Sequence, residues 1–290
     1  MIASQRRALV LAGGGVAGIA WEIGVIQGLA DVDPALAAAV RSADLVIGTS
    51  AGSAVAAQLT GDVALAELHA AQLDPATVEI DPGVDSVALA ERMAPATDAD
   101  DAADRRRRIC AIALATRTVP EAARLQAVRG RLSSLAWPDR DLLLPAVDAA
   151  TGDRVVFDRT SGVSLLDAVA ASCAVPGVWP PVTIGAARYV DGGVWSGTNA
   201  DLAASAAVVL ALVPKPAGMP AFVGAELDDE LAELRRTGDP RTFVVYADER
   251  SWAAFGADSL SPATRAPAAE AGRAVGRAVA GEVAAVWATG

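Results

Sequence analysis

The chain has 290 residues and carries 24 Lys and Arg against 35 Asp and Glu, which gives it a formal net charge of −11. Hydrophobic residues make up 53% of it, which is enough apolar surface to exclude a disordered polymer. The acidic balance excludes nucleic acid as the main partner, because binding a phosphate backbone requires clustered Lys and Arg. We therefore predict a globular protein without a nucleic-acid partner.

Two cysteines and one histidine leave few residues for disulfide or metal chemistry. A disulfide framework and a zinc site of the Cys/His type both need more of them, so we predict no metal. The longest uncharged stretches, residues 45–61 and 168–187, are interrupted by polar residues, glycine or proline and predict no transmembrane span. Arg6 and Arg7 before an apolar run are typical of an export signal, but the glycines at 13–15 interrupt that run. We expect a cytoplasmic location.

The first two units of the chain repeat one pattern, an apolar run followed by a glycine-containing turn and a helical period. Residues 8–12 read as a buried strand, and apolar residues recur at helical spacing over 19–29. Residues 45–47 and 55–59 repeat the strand and the helix. Two such units in series predict parallel strands with crossover helices. The predicted fold is a three-layer α/β/α sandwich with a mostly parallel central sheet.

The remaining elements follow in chain order. They are a hairpin at 142–147 and 155–157, a helix at 165–174, and strands at 188–190, 208–213 and 243–246. The apolar pattern of strands and helices weakens over residues 74–104, which predicts an irregular insertion or lid over the sheet edge. Residues 262–288 predict a closing helix. Because no linker divides the chain, we expect one domain over 1–290, with its motif-bearing core at about 8–215.

Acidic residues precede a run of four arginines at 105–108; the acids are Asp98, Asp100, Asp101 and Asp104. Acids at the start of a helix followed by bases are favoured by capping and by the helix dipole. We interpret the run as the solvated face of a helix. The alternative is an arginine cluster that contacts a lipid headgroup.

Residues 48–52 read Gly-Thr-Ser-Ala-Gly, a G-x-S-x-G sequence between a predicted strand and a predicted helix. In that context the pattern is typical of a serine nucleophile on a sharp turn, above the strand ends. Gly48 and Gly52 remove side chains that would clash at such a turn. The N–H of Ala51 can face a developing oxyanion. We predict Ser50 as the nucleophile, and the alternative is a turn of small residues only.

A serine hydroxyl needs a base to become a good nucleophile. A Ser-His-Asp hydrolase with the order nucleophile, acid, histidine needs a histidine near the carboxyl terminus, and the only histidine is His69. We interpret His69 as a partly exposed residue of a helix. A carboxylate is then left as the base.

Asp191 is the candidate base, because it ends the predicted strand at 188–190 and is followed by Gly192 and Gly193. Glycines there permit close approach of the backbone to another turn. An aspartate titrates at about 4 in water, and a dry apolar pocket would raise its pKa toward neutrality. The alternative is an ordinary Asp-Gly turn.

Gly13, Gly14 and Gly15 follow the first predicted strand and leave backbone N–H groups bare at a helix start. We predict that they form an oxyanion hole. The spacing of Gly13, Gly15 and Gly18 also fits a dinucleotide-binding site. That site needs an acid after the second strand, whereas Asp44 precedes it.

Four sequence blocks in this order resemble those of the patatin-like phospholipases. They are Gly-Gly-Gly-Val-Ala-Gly at 13–18, Gly-Thr-Ser-Ala-Gly at 48–52, Ala-Ser-Cys-Ala-Val-Pro-Gly-Val-Trp-Pro-Pro at 171–181, and Asp-Gly-Gly at 191–193. The resemblance covers residues 8 to about 200. It implies a Ser50–Asp191 dyad, an oxyanion hole at residues 13–15, and a wall near the dyad at 176–181. It also implies hydrolysis of lipid acyl esters without a catalytic histidine, and we expect no cofactor.

One position departs from the family pattern, in which the glycine block commonly carries Arg or Lys where this chain has Ala17. A missing cation weakens binding of an anionic headgroup or stabilisation of transition-state charge. Phospholipid, neutral ester and thioester therefore stay open as substrates, and so does compensation by residues 105–108.

The sequence therefore predicts a lipid acyl hydrolase of the phospholipase, lysophospholipase or carboxylesterase kind. Its partner is a lipid or acyl-ester substrate, with transient contact to a membrane surface as a further expectation. Two alternatives are an acyltransferase or thioesterase acting on carrier-bound acyl chains, and a catalytically weakened lipid-binding relative. A fluorophosphonate probe separates the last from the enzymes, because only an active serine reacts with it.

Overall fold

A computed structural model describes residues 6–83, 86–97, 99, 101–221 and 223–287. Asp98, Asp100 and the predicted helix end at 288 lie outside the described residues, as do positions 84 and 85 of the predicted insertion. The strands are β1 (Arg7–Leu11), β2 (Leu45–Gly48), β3 (Asp141–Asp148), β4 (Arg154–Phe157), β5 (Val182–Ile184), β6 (Ala187–Asp191), β7 (Val208–Val213) and β8 (Arg241–Tyr246).

The α-helices lie between and after these strands. They are α1 (Gly15–Val32), α2 (Pro34–Arg41), α3 (Ala51–Leu59), α4 (Leu65–Leu73), α5 (Ser86–Thr97), α6 (Ala102–Ala115), α7 (Glu121–Arg131), α8 (Leu165–Ser172), α9 (Leu227–Thr237), α10 (Glu249–Phe255) and α11 (Arg265–Trp287). The predicted hairpin is β3 and β4, and the predicted helix at 165–174 is α8. The strand predictions at 188–190, 208–213 and 243–246 are confirmed as β6, β7 and β8.

The strands form one sheet in the order β5-β6-β3-β2-β1-β7-β8, and β4 pairs with β3 outside this path. The run from β3 through β2, β1 and β7 to β8 is parallel. The β4, β5 and β6 strands join it antiparallel at the other end. The two repeated strand–turn–helix units therefore place β1 and β2 side by side in the centre, and the prediction of a mostly parallel sheet is confirmed.

Successive strand residues point to opposite faces of the sheet. Because the residues on both faces are apolar, helices cover both. Leu9 and Val46 point to one face, where they join the core formed with α1, α3, α8 and α11. Val10 and Ile47 point to the other face and join a smaller core with α9 and the short 3-10 helix Ala200–Ala203. Burying each such side chain contributes about 1.5–3 kcal/mol. The predicted three-layer α/β/α sandwich is confirmed.

Residues 74–104 differ from the irregular insertion that the sequence predicted, because α5 occupies 86–97. Leu89, Met93 and Ala96 follow a helical period on this segment, and Met93 and Ala96 are buried against α6. Pro95 within α5 obscured that period in the sequence. The lid role of this segment remains a prediction.

Helix α1 is the one described helix that is long and apolar enough to cross a membrane. In this fold 72% of it is buried inside the protein. It packs along α11 with Gly24 and Gly28 facing Gly272 and Gly276, and a side-chain carbon on any of the four would overlap the opposite backbone. The two helices therefore meet at backbone contact, and α1 serves this fold as a core helix.

Candidate active site

Ser50 lies on the turn between β2 and α3, where its backbone adopts φ 53° and ψ −117°. A non-glycine residue with positive φ is strained, and such strain concentrates at functional sites. The turn is tight because both motif glycines lie directly against neighbouring backbone. A side-chain carbon on Gly48 would overlap the carbonyl oxygen of Gly52, and one on Gly52 would overlap that of Leu11. The G-x-S-x-G spacing thus follows from the packing of β1, β2 and α3.

Three side chains hold Ser50 in place. Two of them, Ser172 and Cys173, are distant in the sequence, and the third, Ser53, lies in α3. The N–H of Ser50 donates to the Ser172 hydroxyl at 3.0 Å. Its carbonyl oxygen accepts from the Ser53 hydroxyl at 2.6 Å and from the Cys173 thiol at 3.0 Å. Sequence reasoning missed this support, since nothing local links residue 50 to residues 172 and 173. The only available signal was that both belong to the Ala-Ser-Cys block of the family resemblance.

Asp191 ends β6, which pairs antiparallel with β3 and thereby brings the carboxyl to the site. Oδ1 accepts a hydrogen bond from the N–H of Gly193 at 2.7 Å. Oδ2 is buried and has no hydrogen-bond partner among the described residues. Gly192 is required because a side-chain carbon there would overlap the carbonyl oxygen of Pro145. One carboxylate oxygen is thus anchored, whereas the other is free.

Burial raises the pKa of Asp191 to about 7, since the carboxyl is only 4% exposed. The N–H of Gly193, the hydroxyl of Ser50 and the charge of Arg124 each lower this pKa and so limit the rise. A carboxylate with a pKa near neutrality accepts protons far better at pH 7 than an ordinary aspartate does.

Ser50 and Asp191 line one cavity of about 330 Å³ together with Gly13, Gly14 and Gly15. This volume falls in the range of small-molecule sites. The remaining wall is mostly apolar and includes Leu89, Met93, Ile109, Val175, Pro176 and Leu260. The structure therefore brings the predicted nucleophile, base and glycine block together in a pocket suited to a hydrocarbon chain.

The predicted oxyanion donors are not equivalent. Among the described residues, Gly14, Gly15 and Ala51 have backbone N–H groups with no acceptor, whereas the N–H of Gly13 donates to the carbonyl oxygen of Gly197 at 2.8 Å. Gly13 is therefore unavailable as a donor, which corrects the sequence-based assignment. Gly15 has a φ of +66°, which favours glycine, and a side-chain carbon there would lie 2.7 Å from the Ser259 carbonyl oxygen. Three free donors remain beside Ser50.

Two other predicted features lie away from this pocket. His69 is only 5% exposed, which corrects the predicted partial exposure, and burial lowers its pKa where α4 meets α11. Asp44 accepts a hydrogen bond from the N–H of Arg7 at 2.8 Å, at the end of β2 opposite to Ser50. Neither residue lines the cavity of Ser50, so neither a histidine base nor a dinucleotide acid is present there.

The arginine run at 105–108 is engaged in structural contacts of α6. Asp101 caps the helix through the N–H of Asp104 at 3.0 Å, and Asp104 forms an ion pair with Arg108 at 2.7 Å. Arg106 stacks on Trp195, with its guanidinium 4.2 Å from the ring centroid. Arg107 and Arg108 are exposed, as expected for the solvated face of a helix, whereas Arg105 and Arg106 are half-buried, which corrects that interpretation for these two residues. The whole run lies outside the cavity of Ser50.

Comparisons with known proteins relate the chain to one family. The family model described as "Patatin-like phospholipase" matches residues 9–204. Among solved structures, VipD from Legionella pneumophila is similar over 96% of this chain and 67% of its own, with 13% sequence identity and a TM-score of 0.48. No curated protein matches. Because the family match spans well over half of the chain and contains both the serine turn and Asp191, the chain belongs to the patatin-like phospholipase family.

Proposed function

We propose that this protein hydrolyses lipid acyl esters with Ser50 as the nucleophile and Asp191 as its base. Membership of the family indicates lipid acyl hydrolase activity. The observation that carries the proposed dyad is the pairing of a strained serine with a buried, half-anchored carboxylate in one apolar cavity. Each feature alone occurs in unrelated proteins, whereas together they assemble a nucleophile, a base and an acyl site.

The first half of the proposed reaction forms an acyl-enzyme. Oδ2 of Asp191 accepts the proton of the Ser50 hydroxyl while Oγ attacks the acyl carbonyl carbon. The carbonyl π electrons move to oxygen, and the N–H groups of Gly14, Gly15 and Ala51 stabilise that oxyanion. Collapse of the tetrahedral intermediate breaks the ester C–O bond, and the departing alkoxide takes the proton from Asp191.

The second half releases the acid. Asp191 accepts a proton from water, and the hydroxide oxygen attacks the acyl carbon through a second oxyanion. Collapse breaks the bond to Oγ, which recovers the proton from Asp191. The same carboxyl thus serves as base and then as acid in both halves, and a pKa near 7 suits that alternation.

The apolar cavity supports an acyl chain as the group bound beside Ser50. Leu89 and Met93 of α5 and Ile109 of α6 bring hydrophobic side chains to it. We propose transient contact with a membrane or micelle surface as the source of the lipid. The cytoplasmic location, the lid role of residues 74–104 and the single-domain organisation belong to the same proposal.

Turnover of a p-nitrophenyl ester series by Ser50→Ala and Asp191→Asn tests the assignment. We expect a loss of at least about 100-fold for D191N, the usual contribution of a general base, and a larger loss for S50A. Ser134→Ala and Asp62→Asn make the same chemical changes at exposed positions and should stay at the wild-type rate. Undiminished turnover in S50A or D191N would exclude the dyad.

Labelling with a fluorophosphonate probe provides the second measurement. The wild-type protein should be labelled at Ser50 and the S50A variant should not. A folded wild-type protein that is neither labelled nor active would be a catalytically weakened lipid-binding relative. Product analysis with water against an added alcohol or thiol then separates a hydrolase from an acyltransferase.

A further inference from the structure

Arg124 on α7 is a buried cation with unused donors. It is only 4% exposed, yet its Nε and Nη1 atoms have no hydrogen-bond partner among the described residues. Its guanidinium lies 3.9 Å from the ring centroid of Trp179, which stabilises one face of the charge but satisfies no N–H group. Burying a guanidinium without an acceptor is costly, so this residue calls for a functional explanation.

The charges around Arg124 indicate which acid balances its positive charge. Arg131 lies nearby, and its own charge is neutralised by Glu79 through hydrogen bonds of 2.8 and 2.5 Å. The Cys173 thiol is neutral, because burial raises its pKa. Glu79 and Asp191 are the acids that act on Arg124, and Glu79 is already paired with Arg131. The acid left to balance Arg124 is Asp191.

Arg124 also faces the oxyanion side of the site. With Gly15, Ser50 and Ala51 it lines a second cavity, which has about 20 Å³ of free space for water-sized molecules. That space holds about one water molecule and is too small for a phosphate headgroup. Arg124 therefore lines a space beside the Ser50 turn that accommodates an oxygen atom and not a whole ligand.

We propose that Arg124 is a positioning residue of this hydrolase, a fixed positive charge that balances the negative charge as it moves from Asp191 to the oxyanion. The inference rests on the proposed function. Before proton transfer the negative charge lies on Asp191, and afterwards it lies on the substrate oxygen above Gly15 and Ala51. Arg124 lines the small cavity beside Gly15, Ser50 and Ala51, and its charge lowers the pKa of Asp191, so one buried cation acts on both places during the step.

This arrangement also accounts for the missing cation of the glycine block. Ala17 is fully buried in α1, and its N–H donates to the carbonyl oxygen of Ser259 at 2.9 Å. A long cationic side chain there would have to displace the core to which Ala17 belongs. In this chain a positive charge beside Ser50 comes instead from Arg124 on α7.

Three variants test the proposal: Arg124→Gln removes the charge, Arg124→Lys keeps it, and Arg129→Gln makes the same change at an exposed position of α7. Two quantities are measured against pH. One is kcat/KM, and the other is the infrared carboxylic-acid signal that D191N lacks. The D191N reference is needed because Glu22 and Glu230 are also buried acids with raised pKa values.

The R124Q variant should move the Asp191 midpoint upward by about one pH unit and lower kcat/KM by about 10-fold or more at pH 7. R124K should keep the midpoint within about 0.3 units of wild type while losing some rate, because an ammonium lacks the planar donor geometry. R129Q should match wild type. A loss of rate in R124Q with an unmoved midpoint would overturn the proposal, as would full activity.

Each remaining outcome is also decisive. If R124Q does not fold, R124K decides, because a midpoint that rises despite the retained charge would overturn the proposal. If no variant or wild type hydrolyses any ester but the infrared midpoint moves in R124Q, the proposed function fails while the coupling of Arg124 to Asp191 stands. If wild type is active but neither the kcat/KM midpoint nor the infrared midpoint moves in R124Q, the proposed function stands and this inference fails.

Discussion

Two buried carboxyls in this molecule have pKa values raised to about 7, Asp191 beside Ser50 and Glu230 on α9. Burial is the main cause in both. Glu230 places Oε2 between the Thr198 hydroxyl and the N–H of Ala200, so this oxygen anchors a loop. Asp191 has one oxygen anchored and the other free in a cavity. A raised pKa alone therefore does not distinguish the proposed base from a structural acid. An unsatisfied oxygen alone does not either, since both oxygens of the buried Glu22 lack a hydrogen-bond partner among the described residues. What distinguishes Asp191 is a free oxygen on a carboxyl that lines the cavity of Ser50, which Glu22 does not.

The loop anchored by Glu230 still affects the site indirectly. Gly197 in that loop accepts the hydrogen bond from Gly13, and Thr198 accepts one from the hydroxyl of Thr49, next to Ser50. Glu230 thus supports the geometry from the face of the sheet covered by α9. It supports without exchanging protons, and this contrast can be measured.

The largest effect that separates the two acids is the pH dependence of activity. Since the base must be ionised, kcat/KM should fall about tenfold for each pH unit below a midpoint near 7. Glu230→Gln should keep the same midpoint, because its carboxyl does not take part in the reaction. A pH–rate profile of both proteins checks this. A midpoint that moves or vanishes in E230Q would reverse the roles of the two acids.

A smaller effect concerns stability on the Glu230 side. E230Q replaces a carboxylate that accepts two hydrogen bonds with an amide, and we expect a loss of about 1–3 kcal/mol in the free energy of unfolding. Activity should fall only a few-fold, through the loop that holds Gly13. Denaturant unfolding measures the loss, with the exposed Asp229→Asn on the same helix as control. Unchanged stability in E230Q would contradict the anchoring role.

The smallest effect is a gain of stability in D191N at alkaline pH. The folded pKa of Asp191 is raised above its unfolded value of about 4, so its contribution is fully present below that pH and is lost as the pH rises through about 7. The amide has no such loss. The Tm of D191N should therefore exceed that of wild type by a few degrees at pH 8, and by less at pH 5. A gain that is equal at both values would show that the carboxyl is not the cause.

Much of the site was predictable because its signals are local. The two strand–turn–helix units were recognised from apolar runs and glycines within residues 8–59, and the parallel sheet followed from their repetition. Asp191 was predicted as the base by exclusion, since the chain offers one histidine and that histidine lies outside the cavity of Ser50. In each case a few adjacent residues carry enough physical information to be interpreted without the fold.

The parts that escaped prediction depend on contacts between distant residues. Ser172 was recognisable only as part of the family-like block at 171–181. Arg124 has no sequence neighbour that indicates its proposed role, and an arginine on a short helix is ordinarily solvated. Gly13 carries the same motif signal as Gly14, and only the hydrogen bond to Gly197 shows that its N–H is occupied. Helix α5 was missed because Pro95 interrupts its pattern.

The backbone contact between α1 and α11 has a consequence for how the chain acquires its structure. Helix α1 begins at Gly15 in the oxyanion turn, and its glycines meet residues roughly 245 positions later, such as Ala269. Contacts of such sequence separation form slowly, since a long loop must close first. During synthesis the apolar side of α1 stays uncovered until α11 has been made. The glycine turn at the start of α1 gains its final support only afterwards. The candidate site therefore completes its geometry late, with nascent chains exposed to aggregation until then.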